Sequence, residues 1–303
     1  MYKKLLSLQS ISVKCGSTFS MQGDWSLTFH SRQSNGWLLY SVLPIRYGVG
    51  SSLWKSTLNT DYNLICTMEQ EKSNYIWQRL NLRYKAHPWH GISAGDKAPE
   101  IVRCYVEVVP GDEMKYEVDK ETGYLMVDRP NKFSNTMPCM YGFIPRTYSA
   151  QITAAYCMKK TGMTNLEGDG DPLDVCILCD RKIPRGDLLV DVKIVGGFRM
   201  IDSGEVDDKL VGVLNSDHTY GRMNDIADCP QDLIKRIKHY FLTYKEDPDQ
   251  GFGKSKVIIK DTYGREEALE VIKYGFQDYE AQYGKLETEL ASTLIEIAKK
   301  IST

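Results

Sequence analysis

The sequence has no run of about 18 apolar residues, so it carries no segment fit to cross a bilayer as a helix. It has no surplus of one charge: 38 Lys and Arg against 40 Asp and Glu leave a net charge of −2, which excludes a global attraction for nucleic acid or an anionic membrane surface. Cysteine is too sparse for a disulfide framework. Eight thiols are scattered over 303 residues, a chain long enough to bury a core unstapled, which points to a reducing compartment. The lone C-x-x-C, Cys176 to Cys179, lacks the further ligands of a zinc site and lies in an apolar run, so two buried strand cysteines are expected. Repeats and low-complexity tracts are absent, as is the G-x-x-x-x-G-K-[ST] loop of a nucleotide-binding transferase.

Acid is almost missing from the first sixty residues. Asp24 stands alone against Lys3, Lys4, Lys14, Arg32, Arg46 and Lys55, with serines throughout. That is the composition of an organelle transit peptide; an extension packed on the domain through Trp25, Trp37 and Leu38–Leu39 fits the same residues. No apolar h-region with a small-residue cleavage site is present, which disfavours secretion.

Regular patterns begin after a Gly/Pro-punctuated linker at 86–99. Residues 103–109 are β-rich, and "KYEVD" (115–119) alternates, with Lys115, Glu117 and Asp119 on one face. The turn at Thr122–Gly123 leads into "YLMVDR", predicting a hairpin. Further strands are expected at 174–178, 188–198 and 209–214. Two helices follow. One carries Leu233, Ile237, Tyr240 and Tyr244 on a stripe after the start signals Asp228 and Pro230; the other spans 265–283, with Leu269, Ile272, Phe276 and Tyr279 in line despite Gly275. Strands first and helices last predict an α+β fold, helices against a sheet or small barrel.

The stretch "EGDGDPLDVCILCD" (167–180) crowds Asp169, Asp171 and Asp174 at the mouth of a predicted strand. Two residues apart in extended chain, Asp169 and Asp171 point the same way. A second acidic loop, "DSGEVDDK" (202–209), supplies Asp202, Glu205, Asp207 and Asp208. An EF-hand does not fit, because Leu173 and Asp180 stand at its fifth and twelfth positions and Pro172 breaks it. An ordinary solvated acidic turn would suit the Asp run taken alone. Oxygen-only ligands favour Mg²⁺, Mn²⁺ or Ca²⁺ over zinc. Lys115, Arg129, Lys209 and Tyr244–Lys245, placed at strand and helix ends, add cations for a ligand rich in negative oxygens, a phosphate ester or polyphosphate. A glycosidase needs only two carboxylates and explains fewer of these residues. An OB-type oligonucleotide binder needs a basic groove, against the acidic loops seen.

The string Asp169-Gly170-Asp171-Pro172-Leu173-Asp174-Val175 resembles the defining motif of the family I soluble inorganic pyrophosphatases. It is supported in order by residues 106–129, "PCMYGFIPRT" (138–147), "DSGEVDDKLVGV" (202–213) and "HYFLTYKE" (239–246), and "HPWH" (87–90) is similar to longer, eukaryotic-type members. The resemblance covers residues 87–283, leaving 1–86 as an N-terminal extension and 284–303 as a helical tail. It implies a twisted five-stranded OB-type barrel flanked by helices, and Mg²⁺-dependent hydrolysis of pyrophosphate, with Mn²⁺ as a substitute. By motif position, it implies that Asp169, Asp174 and Asp207 bind a first metal, that Asp174 bridges to a second, and that Asp202 with Asp207 holds an ion arriving with substrate. Glu117 would serve a fourth ion, partly through water, and Asp171 would take the proton from the attacking water. Lys115, Arg129, Tyr141, Lys209, Tyr244 and Lys245 would contact phosphate oxygens, with Glu107 lining the pocket. A homodimer is implied, in the cytoplasm, or in an organelle matrix if residues 1–60 are a transit peptide.

Two departures from the family pattern stand out. Met137 takes the place of a tyrosine, and Ser203 that of a glutamate after Asp202. Neither removes a ligand named above, so activity is expected to survive. Residues 149–168 are longer than in compact bacterial members and are expected to form a surface flap.

Overall fold

The structure, a computed structural model, describes residues 28–33, 36–41, 84–246, 249 and 256–301. The chain divides into two units, Met1–Met68 and Glu69–Thr303. In the first, β1 (Thr28–Gln33) and β2 (Gly36–Ser41) pair antiparallel, Thr28 opposite Ser41. The rest of the basic, serine-rich segment lies outside the described residues.

The second unit runs β3 (Ile101–Val108), β4 (Met114–Val118), β5 (Leu125–Pro130), β6 (Met140–Phe143), α1 (Gln151–Thr161), β7 (Glu167–Gly168), β8 (Asp174–Leu178), β9 (Leu188–Asp202), β10 (Glu205–Val206), β11 (Lys209–Leu214), α2 (Gln231–Thr243), β12 (Val257–Gly264), α3 (Arg265–Tyr283) and α4 (Leu286–Ile301). Among the described residues, no helix is long and apolar enough to cross a membrane.

Five strands close into a barrel. β3 pairs with β6, β6 with β8, β8 with β11, β11 with β9, and β9 returns to β3. β9 makes the closure possible because it is long enough to change partners: residues 188–193 face β3, 192–198 face β11, and 196–202 face β12. Closure leaves these strands without a free edge and lets Val192, Ile194, Val195 and Phe198 be fully buried. Helices cover the two sides. α2 packs Ile234, Ile237 and Phe241 on Phe198, Met200, Val211 and Val213, while α3 packs Ala268, Val271 and Ile272 on Val175, Ile177 and Leu210. The expected OB-type α+β architecture is therefore the observed one. β4 and β5 form the expected hairpin, as a separate two-stranded sheet.

Local differences from expectation have physical causes. In α2 the buried stripe runs through Ile234 rather than Leu233, which is only partly covered. Gly275 is tolerated inside α3 because a Cβ there would sit 2.4 Å from Leu173 Cδ1; the helix needs the gap to approach the barrel. The 86–99 linker is no free tether. Trp89 is buried and donates its indole N–H to the Thr147 carbonyl at 2.8 Å. The flap expected over 149–168 is instead built around α1. The buried Asp278 carboxylate of α3 accepts from the amides of Ile152 and Thr153, both at 2.9 Å, satisfying first-turn donors that α1 cannot pair itself. Cys176 is a buried strand residue, as expected, while Cys179 follows the strand and is half-buried; both are free thiols.

Candidate active site

Barrel closure draws both acidic loops to one end. β8 and β11 run parallel with Asp174 opposite Lys209, so the first residues of two adjacent strands face the same opening. The loop before β8 turns at Gly170, whose φ of 74° is in the left-handed region that favours glycine, and the Asp171 amide then donates to Asp169 Oδ1 at 3.1 Å. β9 ends on Asp202, and Asp207 is tied back to it by its amide on the Met200 carbonyl at 3.1 Å. The β4–β5 hairpin brings Lys115 opposite Arg129, and the end of α2 leads into Tyr244 and Lys245.

These elements enclose a cavity of about 530 Å³. Its wall includes every site residue named from the sequence: Asp169, Asp171, Asp174, Asp202 and Asp207; Glu107 and Glu117; Lys115, Arg129, Lys209 and Lys245; Tyr141 and Tyr244. Met137 is there too, buried. Glu205 of the second acidic loop lines it as well, as do Lys120 and Lys132, which the sequence did not single out. Lys120 gives no local signal, since it sits in the hairpin turn and reaches Asp171 only across the fold.

Most of these charges find an opposite partner. Lys209 spans Asp174 and Asp207 and lies 3.1 Å from the Tyr141 hydroxyl, which itself donates to Asp174. Lys245 pairs with Asp202, Lys120 with Asp171, and Lys115 with Glu117. Burial pulls the Lys209 ammonium down, but Asp174 and Asp207 outweigh it and hold the ammonium well above its usual range. Burial and the neighbouring Arg129 lower Lys115. Glu107 accepts from the Val118 amide at 2.7 Å, yet burial and the Asp174 charge push it up to about 8.

Asp169 differs from the other aspartates. No ion pair to it is present among the described residues. Burial, then Asp207, push it up to about 9. Among the described residues no three acidic, histidine or thiol groups form a ready-made metal cage. The donors are nevertheless all carboxylate oxygens, which suit a hard divalent cation. Added positive charge would relieve the repulsion concentrated at Asp169.

A family model described as inorganic pyrophosphatase matches residues 104–280. An inorganic pyrophosphatase of Chlamydia muridarum is 45% identical over 195 residues, covering 64% of this chain and 93% of that protein. Soluble inorganic pyrophosphatase 2 of Chlamydomonas reinhardtii is 35% identical, over 65% of this chain and 91% of that one. The crystal structure of the inorganic pyrophosphatase of Thermus thermophilus is similar with a TM-score of 0.54 at 31% identity, covering 64% of this chain and 99% of the other.

Proposed function

This chain belongs to the inorganic pyrophosphatase family and is a pyrophosphate hydrolase, and from that premise we propose which of its residues carry the reaction. The observation that supports the assignment is the single cavity into which two acidic loops, a hairpin and a helix end direct both carboxylates and cations. Asp169, Asp174, Asp207, Asp202 and Glu117 would hold Mg²⁺, or Mn²⁺ in its place. When bound, such ions supply Lewis acidity and bring the pKa of water from about 16 toward about 7.

The chain's own groups divide the remaining work. Asp171 accepts the proton from the water that attacks phosphorus. The bridging P–O bond breaks and its electron pair leaves with the second phosphate. Lys115 and Arg129 neutralise that developing charge from the hairpin, and Lys209 and Lys245 do so from the barrel and helix ends. The Tyr141 and Tyr244 hydroxyls orient phosphate oxygens without adding charge, and Glu107 shapes the wall beside Val118.

The finer assignments belong to the same proposal. Residues 1–86 are an extension of the kind found in longer, eukaryotic-type members, 87–283 the catalytic domain, and 284–303 a helical tail. The protein works as a homodimer in the cytoplasm, or in an organelle matrix if residues 1–60 are removed. N-terminal sequencing of the mature protein and sedimentation analysis test these points.

Phosphate release from pyrophosphate, with ATP and single-stranded DNA as parallel probes, tests the function itself. Pyrophosphate turnover is expected to be fastest, to stop in EDTA and to return with Mg²⁺. Turnover that persists in EDTA, or no saturable Mg²⁺ uptake by the protein, overturns the metal assignment.

A further inference from the structure

Directly behind Asp207 and Lys209 lies a buried ionic network that the mechanism above does not use. Arg199 of β9 and Asp208, which precedes β11, each have side chains only 2% exposed and pair with one another. The other arm of the guanidinium reaches Glu267 of α3, and the Tyr263 hydroxyl donates to the same Asp208 oxygen at 2.9 Å. The Arg199 guanidinium also lies 4.6 Å from the centre of the Tyr263 ring and 5.3 Å from that of Tyr156 of α1. A cavity of about 10 Å³ is lined by Arg199 and Asp208 and equally by Asp169, Asp174 and Asp207. The network and the floor of the site thus share the wall of one small cavity, with room for about one water.

Alternation along an extended chain makes this placement consequential. With Asp208 turned inward to Arg199, Asp207 and Lys209 on either side of it line the active-site cavity. A slip of one residue would invert the arrangement, presenting Asp208 to the cavity and driving Lys209 toward the core. Within β11, Gly212 opposes that slip, since a Cβ there would sit 2.3 Å from Val192 Cγ1, whereas Leu210 and Val211, on opposite faces, are both fully buried and do not. At the end nearest the site, a charged side chain that fits only one partner opposes it as well, the best-attested use of a buried ion pair.

We propose that the Arg199–Asp208 pair is a register key: it positions Asp207 and Lys209, and through Lys209 also Asp174, for pyrophosphate hydrolysis. The proposal rests on the functional reading above. Arg199, Asp208 and Tyr263 are positioning residues that do not reach the substrate cavity.

The test replaces the pair by apolar groups of similar size, Arg199→Met with Asp208→Leu, and measures Tm, kcat/KM for pyrophosphate, and hydrogen exchange of amides 205–210. Such a swap commonly preserves stability, but it leaves the buried Tyr263 hydroxyl without its acceptor, so Tm is expected to fall by a few degrees rather than collapse. kcat/KM should fall about 100-fold, the scale of a small misplacement of reacting groups. Exchange over 205–210 should become faster. Parental kcat/KM with parental exchange would overturn the register role.

Should the double variant not fold, Tyr263→Phe decides. It removes only the hydroxyl on Asp208, and an approximately fivefold loss in kcat with faster exchange at 206–209 is expected. A lowered Tm with unchanged kcat and unchanged exchange would show a purely structural contact. If the parent itself does not hydrolyse pyrophosphate, the functional reading fails, and the exchange measurement still judges the register key.

Discussion

The two sides of the cavity carry similar charges in different settings. On the barrel side, Lys209 is 5% exposed in its side chain and sits between two aspartates that are themselves mostly covered. On the hairpin side, the Lys115 side chain is 21% exposed and its partner Glu117 47%. A charge buried among opposite charges cannot be removed without leaving its partners unpaired in a poorly solvated place, whereas water compensates on the hairpin. The barrel end therefore couples activity to folding, while the hairpin can lose activity and stay folded.

Substitutions can break or sharpen this contrast. Asp174→Asn should have the largest effect, a fall of about 10³-fold in kcat/KM, because one carboxylate meets Lys209, Tyr141 and the ions assigned to it. Steady-state pyrophosphate hydrolysis measures it, and near-parental turnover would remove Asp174 from the centre of the site.

Lys209→Met and Lys115→Met set the two sides against each other directly. The first should lower kcat/KM about 100-fold and also cost about 3 kcal/mol of stability by urea unfolding, since Asp174 and Asp207 are left facing one another. The second should lower kcat/KM about tenfold while shifting stability by less than about 1 kcal/mol. Equal stability losses would erase the distinction between the two sides.

Gly275→Ala probes the packing behind Leu173 without touching a charge. Its Cβ would meet Leu173 Cδ1, so a loss of about 1–3 kcal/mol is expected in thermal or urea unfolding.

The last effect concerns pH. Burial first, then the neighbouring His87 and Arg146 charges, lower His90 to about 4, while its Nδ1 lies 2.9 Å from the Tyr279 hydroxyl. The unfolded chain takes up this proton below the usual value of about 6.5, and the folded chain only near 4. The associated stability is thus complete above 6.5 and is lost as pH falls from there to about 4. Tm measured across that range should fall less steeply for His90→Gln than for the parent.

Much of the site was legible along the chain because its parts are local. The Gly170 turn, the paired aspartates and the strand start at Asp174 are neighbours in sequence, and the alternation that puts Lys115 and Glu117 together needs nothing beyond the strand that contains them. The bounds of β8, β11 and α3 agree with the patterning for the same reason. Segments with mixed patterns were harder. β6 is a short, wholly buried run with no alternation to show, and α1 has no strong apolar stripe, since its first turn is held by Asp278 from far along the chain. The β12 strand likewise takes its place only against the far end of β9.

By itself, the sequence determined the chemical kind of the site: which carboxylates and cations exist, how they are spaced within each loop, and that they flank strand ends. Barrel closure decided which of these groups meet. Lys120 on Asp171, Lys245 on Asp202 and Arg199 between Asp208 and Glu267 are contacts across elements, absent from any one segment's periodicity. The physical reason is that local spacing is set by the geometry of helix and strand, whereas the distance between remote residues is set by how the strands of the closed sheet are paired.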